Sequence, residues 1–195
     1  MTWRLLVLAV IGAAAPQSSV SGWSSAKGVD SRELRFTDKS GEHVVRFVLS
    51  AEKKQKGEGD SMMRSRELTV THLVGKKELW RARDFVQQCE FDLSLEVLEG
   101  SIRLTDLDDD GEPEVSFLYK LGCRSDVSPL TVKLLLYEGA TKYALRGESR
   151  ERVGEHELAG GDFKIDPAFE QAPRPFVEFA KAQWKSLVVE AAGSP

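Results

Sequence analysis

The sequence predicts a mostly β domain: an antiparallel sheet built of hairpins, with one C-terminal helix packed on it. Three observations predict it. Short runs between residues 32 and 147 alternate apolar with polar residues, the period of a half-buried strand. Glycine-containing turns separate those runs, among them Asp38-Lys39-Ser40-Gly41, Gly75-Lys76-Lys77 and Glu138-Gly139-Ala140-Thr141. Near the end, Phe176, Phe179, Ala180, Trp184, Leu187 and Val188 recur at helical spacing.

Met1 to Arg4 is a short basic start, and Leu5 to Ala15 is an apolar run ending in three alanines. That is a secretory signal pattern, shorter than the roughly 20 residues a membrane span needs. An uncleaved anchor is the other reading of the same run. Pro16 is an awkward neighbour for cleavage after Ala15, so residues 1–20 are assigned to the signal peptide. Residues 21–31 are rich in Ser and Gly, and they read as a flexible leader. Residues 32–192 then form a single β-rich domain. The chain of 195 residues carries a net charge of −4, which argues against nucleic acid as a partner.

Glu33–Thr37 and Val44–Leu49 read as the first two strands. Lys53–Arg66 is charged and reads as a long hairpin loop or an insertion, with Lys53, Lys54 and Lys56 on a solvated stretch, a basic patch for an anionic polymer being the other reading. Glu67–Val74 and Glu78–Arg83 form the next pair. After Cys89, the residues Phe91, Leu93, Leu95 and Val97 share one face, opposite Asp92, Ser94 and Glu96. Ser101–Thr105 and Val115–Tyr119 alternate in the same way. Leu130–Tyr137 and Lys142–Gly147 form a hairpin. Residues 148–172 read as irregular, and the helix is expected over about 175–190, with a proline in its first turn.

Cys89 and Cys123 are the only cysteines. In an exported chain they are expected to pair, and closing the loop between them would stabilise by roughly 3–4 kcal/mol. Two buried free thiols are the alternative. No C-x-x-C is present to suggest redox chemistry.

Between the cysteines, Asp106 to Glu114 reads D-x-D-x-D-G-x-x-E. Alternate side chains of a tight loop converge on one point, which suits a hard cation taking six to eight oxygens. Asp106, Asp108 and Asp110 are the first three expected ligands. Gly111 permits the sharp turn, the Glu112 carbonyl would point inward, and Glu114 would close the site directly or through water. Phe117 stands where a helix–loop–helix calcium hand needs its bidentate Glu, so a strand–loop–strand site is expected instead. Asp and Gly also suit an acidic hairpin turn, but with Asp109 the carboxylates crowd and repel unless a cation neutralises them. Calcium is the expected ion.

This unit resembles the loops of FG-GAP and VCBS-type repeats, a resemblance that implies calcium at Asp106, Asp108, Asp110 and Glu114. One copy is found where a propeller needs several blades, so a propeller is not expected. A wider resemblance runs from Asp106 to Gly147. There the aspartate loop is followed by C-R-S-D-V-S-P, here Cys123 to Pro129, and by a strand pair similar to Lys133–Gly147. It resembles an exported bacterial family of unknown mechanism, some members of which are labelled surface polysaccharide biosynthesis proteins.

Arg124, Ser125, Asp126 and Ser128 follow a cysteine expected to be tied, and they could bind a polar ligand such as a sugar. Asp126 and Ser128 equally suit turn hydrogen bonds. His43, His72 and His156 show no metal or triad spacing, and His43 and His72 read as structural. Trp80, Trp184, Tyr119, Tyr137 and Tyr143 could stack on a sugar, although Trp184 sits at core spacing. The expected function is that of an exported, periplasmic or secreted, calcium-stabilised module of the cell envelope. It would bind or have a structural role, with polysaccharide or another envelope component as partner. The alternative is an envelope enzyme acting on glycans, with a carboxylate pair that sequence alone does not identify.

Overall fold

The computed structural model describes residues 18–190. Alternation in the first half of the chain builds one antiparallel sheet. Its strands are β1 (Ser18–Val20), β2 (Ser24–Ala26), β3 (Val29–Asp38), β4 (Gly41–Leu49), β5 (Lys53–Lys56), β6 (Met62–Val74) and β7 (Lys77–Cys89). They run in the order β1-β3-β4-β6-β5, with β2 on β3 and β7 on β6. The second sheet begins with β8 (Asp92–Val97), β9 (Arg103–Thr105), β10 (Glu114–Arg124), β11 (Thr131–Glu138) and β12 (Thr141–Glu148). A short hairpin of β13 (Arg150–Arg152) and β14 (Leu158–Gly160) follows, and β15 (Phe163–Ile165) closes the second sheet in the order β15-β12-β11-β10-β8. A 3-10 turn at Pro167–Glu170 leads to α1 (Arg174–Trp184), whose axis continues as a wider turn over Lys185–Glu190.

The two sheets stack face to face. Phe47 meets Phe117 edge-on at 5.1 Å, and Trp80 stacks on Tyr137 at 3.8 Å. Leu34, Val45, Leu68 and Val70 supply the first sheet's side of this core. Its outer face is wet and carries ion pairs such as Arg46–Glu33 and Arg83–Glu67. The second sheet is buried on both faces. Leu118, Leu134, Leu136 and Leu145 point away from the first sheet and pack on Phe176, Ala180 and Trp184 of α1. Every residue from Glu114 to Tyr119 is therefore buried, as expected of a strand covered on two sides. Buried Gln183 pins the helix: its Oε1 accepts from Ser116 at 3.0 Å, and its Nε2 donates to the Ser101 carbonyl at 3.2 Å.

The Cys89–Cys123 disulfide is present, with the Cα atoms 5.5 Å apart. It joins the end of β7 to the end of β10 and so staples one sheet to the other. A polar contact also crosses the layers: the Asp84 carboxylate accepts from Tyr119 at 3.0 Å and from Lys133 at 2.5 Å.

Three expected loops are ordered. Lys53–Arg66 is the β5–β6 hairpin, so its alternating Lys and Arg residues decorate strands rather than a loop. Residues 21–31 carry β2 and the start of β3, and Ser18–Val20, assigned to the signal peptide, pair with Leu34–Phe36. Such exposed edge strands are held by backbone pairing and need no apolar alternation, which is why the composition hid them. Residues 1–17 of the expected signal peptide lie outside the described residues. Within 148–172, β15 packs so tightly on β12 that a Cβ at Gly147 would sit 1.9 Å from the Asp162 carbonyl oxygen. Phe91 precedes β8 at the sheet margin and is 52% exposed, off the buried face that alternation gave it.

Candidate metal centre

The acidic loop joins β9 to β10. Asp109 and Gly111 both take positive φ, 60° and 79°, and this sharp reversal folds the aspartates inward. Asp106 accepts the Gly111 amide at 3.2 Å, and Asp110 accepts the Glu112 amide at 2.7 Å. Asp109 is exposed at the apex.

Ligand oxygens of Asp106, Asp108 and Glu114 lie within 4.8 Å of one another. Glu114 is completely buried. Its Oε2 accepts from the Thr105 hydroxyl at 2.8 Å and the Leu107 amide at 3.0 Å. Its Oε1 is buried with no donor, and so is Oδ1 of Asp108. A buried acceptor without a partner costs about 1–3 kcal/mol, and more for a charged group. Burial pushes the Glu114 carboxyl up to about 7, Asp108 adds to the rise, and the two hydrogen bonds oppose it.

A second group of three shares Asp108 and adds Asp110 and Glu138, again within 4.8 Å. Glu138 ends β11, directly opposite Glu114 in the ladder. Like charges facing each other across strands are destabilising. Accordingly burial, then Asp108, Asp110 and Glu112, raise the Glu138 carboxyl. Sequence reasoning placed Glu138 only in a turn. The signal that would have found it is the β10–β11 register, which the long connection between these strands conceals. Glu112 is in neither group; its carboxylate lies over Gly139, where a Cβ would be 2.6 Å from Oε1.

Five carboxylates from one loop and the strands beside it thus form two groups of three that share Asp108, each able to hold a metal ion, with Glu114 buried and Asp110 exposed. Two of their buried oxygens lack donors. An all-oxygen carboxylate set suits a hard cation.

At the same end of the sandwich the structure joins two histidines that the sequence keeps apart. His43 Nδ1 lies 2.9 Å from His72 Nε2, and both rings are buried. His43 Nε2 reaches Asp38 Oδ1 at 2.8 Å, and Ser40 donates to the same oxygen through its amide at 2.6 Å and its hydroxyl at 2.7 Å. Burial alone would raise the Asp38 carboxyl, but the Ser40 donors and His43 outweigh it and hold it below its ordinary range. Burial, then His43, pushes His72 down to about 4. A cavity of about 460 Å³ opens beside this group and shares Glu112, Pro113, Gly139 and Ala140 with the metal end. His156 is exposed on the β13–β14 connection.

Arg124, Ser125, Asp126 and Ser128 line a different cleft of about 420 Å³, at the disulfide end beside Phe91. Their polar groups engage the loop itself. Arg124 donates to the Ser128 carbonyl and pairs with Glu151, and Asp126 accepts the Ser128 amide at 2.9 Å. Trp80, Trp184, Tyr119, Tyr137 and Tyr143 are all buried in the two cores and offer no open stacking face. Phe85 and Phe91 are the half-exposed aromatics instead. Among the described residues no helix is long and apolar enough to cross a membrane. No family model matches the chain, and no curated protein or solved structure does.

Proposed function

We propose that this chain is an exported, calcium-stabilised β domain acting as a binding or structural module of the cell envelope. The observation that carries the reading is Glu114. It is a fully buried carboxylate with one oxygen lacking any donor, set among Asp106 and Asp108. Calcium fits better than magnesium, because it accepts irregular carboxylate cages whereas magnesium demands a near-ideal octahedron and retains its waters. The disulfide supports an oxidising compartment. The leader pattern and the resemblance of Asp106–Gly147 to exported bacterial proteins support the envelope, with surface polysaccharide as the expected neighbour.

One observation favours a glycan-cleaving enzyme: Asp38 and Glu112 both line the 460 Å³ cavity. Such chemistry needs one carboxyl held protonated as the general acid. Asp38 is lowered, and the two raised carboxyls, Glu114 and Glu138, belong to the acidic cluster. The module reading is therefore the stronger. Its test is a thermal melt without reductant in calcium, in magnesium and in chelator. A rise of several degrees specific to calcium supports it, and three superimposable melts refute it.

A further inference from the structure

The two walls of the cleft at the disulfide end are residues that follow the bridged cysteines. Phe91 stands two places after Cys89, and Arg124 to Asp126 come directly after Cys123. Arg124 pairs with Asp92 on the last rung between β10 and β8. Past that rung Phe91 and Ser125 leave the ladder, and both line the cleft of about 420 Å³. That volume lies within the ~300–1,000 Å³ range of ligand pockets.

These walls are held in place by the fold itself. The bridge keeps the two cysteine Cα atoms 5.5 Å apart. Arg124 donates to the Ser128 carbonyl and pairs with Glu151 at 3.4 Å. The Leu130 amide donates to the Ser149 hydroxyl at 2.8 Å, which anchors the far end of the loop. A preorganised wall loses little entropy when a ligand docks.

The two walls differ in chemistry. Phe91 is 52% exposed at the cleft, so its ring has an accessible apolar surface. Facing it in the lining, Ser125, Asp126, Ser128 and Thr131 are all exposed and polar. The Ser128 side chain and amide hold the Asp126 carboxyl below its ordinary range, so an ionised acceptor stands there at neutral pH. Arg124 and Asp126 are the charged residues of the lining and oppose each other in sign. Arg124 is already engaged by Glu151, and Glu90 and Asp92 flank Phe91, which disfavours an anion. A pyranose ring matches this division. It has an apolar face of C–H groups, which covers an aromatic ring, and a rim of hydroxyls that donate to a carboxylate and exchange hydrogen bonds with hydroxyls.

We propose that this cleft binds the pyranose ring of a neutral sugar, with the C–H face on Phe91 and the hydroxyls on Ser125, Asp126 and Thr131. The proposal rests on the module reading above and names the glycan chemistry that such a module would meet.

The test titrates the methyl glycosides of glucose, galactose and mannose into the disulfide-intact protein in calcium, with sorbitol as the control that carries hydroxyls without a ring. The readout is the NMR signals of the Phe91 ring and of the Ser125 and Thr131 amides. At least one glycoside is expected to shift them saturably at millimolar concentration, and sorbitol should not. The uronate of the sugar that binds should bind at least about tenfold more weakly, a difference of about 1.4 kcal/mol. Phe91→Ala should weaken binding by a similar factor at an unchanged melting temperature, since the side chain is half exposed, and Phe91→Trp should retain it. No saturable shift with any of the three glycosides overturns the proposal. So does an equal response to sorbitol, or binding that survives in Phe91→Ala. Melts of the same samples in calcium and in chelator read the ion separately. A calcium shift without sugar binding sinks this proposal alone, and sugar binding without a calcium shift sinks the ion alone.

Discussion

Replacing Glu114 with Gln separates an ion ligand from an ordinary buried acid. The Glu114 carboxyl is raised from 4.5 to about 7, chiefly by burial. In the ion-free protein the folded state thus holds a proton that the unfolded state has already released between those values. Ion-free stability falls as pH rises from 4.5 through 7. At about 1.36 kcal/mol per pH unit, the deficit at pH 8 is about 3 kcal/mol. Glutamine keeps an acceptor for Thr105 and Leu107, and its amide can donate towards Asp106 and Asp108. In chelator at pH 8, Glu114→Gln should therefore be more stable than the parent. With roughly 2–4 °C per kcal/mol for a domain of this size, the gain is about 6–12 °C. In calcium the order reverses. The parent gains about 4.1 kcal/mol at a thousandfold excess over Kd, more than its deficit of about 3 kcal/mol, and the variant, lacking the charged ligand, gains little. Scanning calorimetry in the two buffers reads both signs. A variant destabilised equally in chelator and in calcium would refute the reasoning and leave Glu114 a structural carboxyl.

Glu138→Gln should weaken calcium binding by about tenfold or more, the usual scale of a lost charge-assisted contact, while Glu112→Gln should leave it unchanged; calorimetric titration compares the two. Reducing Cys89–Cys123 should cost roughly 3–4 kcal/mol, read as a drop in the urea midpoint. For His72, the folded state resists a proton down to about 4 while the unfolded side chain accepts it near 6.5. Stability should therefore be lost as pH falls across that window, by about 3 kcal/mol at 1.36 per unit. Urea melts at stepped pH check this, and His72→Phe should flatten the profile. Trp184→Ala, emptying a fully buried position whose indole donates to the Gly161 carbonyl at 2.8 Å, should cost about 3–5 kcal/mol and loosen α1 in hydrogen exchange.

The elements legible in the sequence were those whose local pattern matches their burial. Strands β3 and β4 show one wet face and alternate, and the α1 stripe of Phe176, Ala180 and Trp184 faces the sheet as its spacing requires. The acidic loop was legible because its carboxylates are close in sequence. Long-range placement was not legible. Alternation reveals that a face is buried, but not against what, so one expected sheet proved to be two. Glu138 joins the cluster only through pairing with Glu114, and the His43–His72 contact exists only because β4 lies beside β6. Edge strands such as β2 and β5 went unread because their side chains face water on both sides and carry no apolar signal.

The positions of the disulfide and of the acidic cluster follow from the burden on β10. Like β3 and β6 it pairs with three others, and it is buried between the first sheet and α1. Such a strand makes most of its contacts with residues distant in the chain, and ordering them costs loop-closure entropy. Its first residues pair with the short β9 as well as with β11, and its last residues with β8. The disulfide ties one end to β7. The acidic cluster draws on Glu114 at the other end, on the loop before it and on Glu138 of β11. A cation there would turn the repulsion between Glu114 and Glu138 into a shared attraction. Hydrophobic burial secures the length of β10 from Val115 to Tyr119, the disulfide ties its C-terminal end, and a cation held by Glu114 and its neighbours would tie the other.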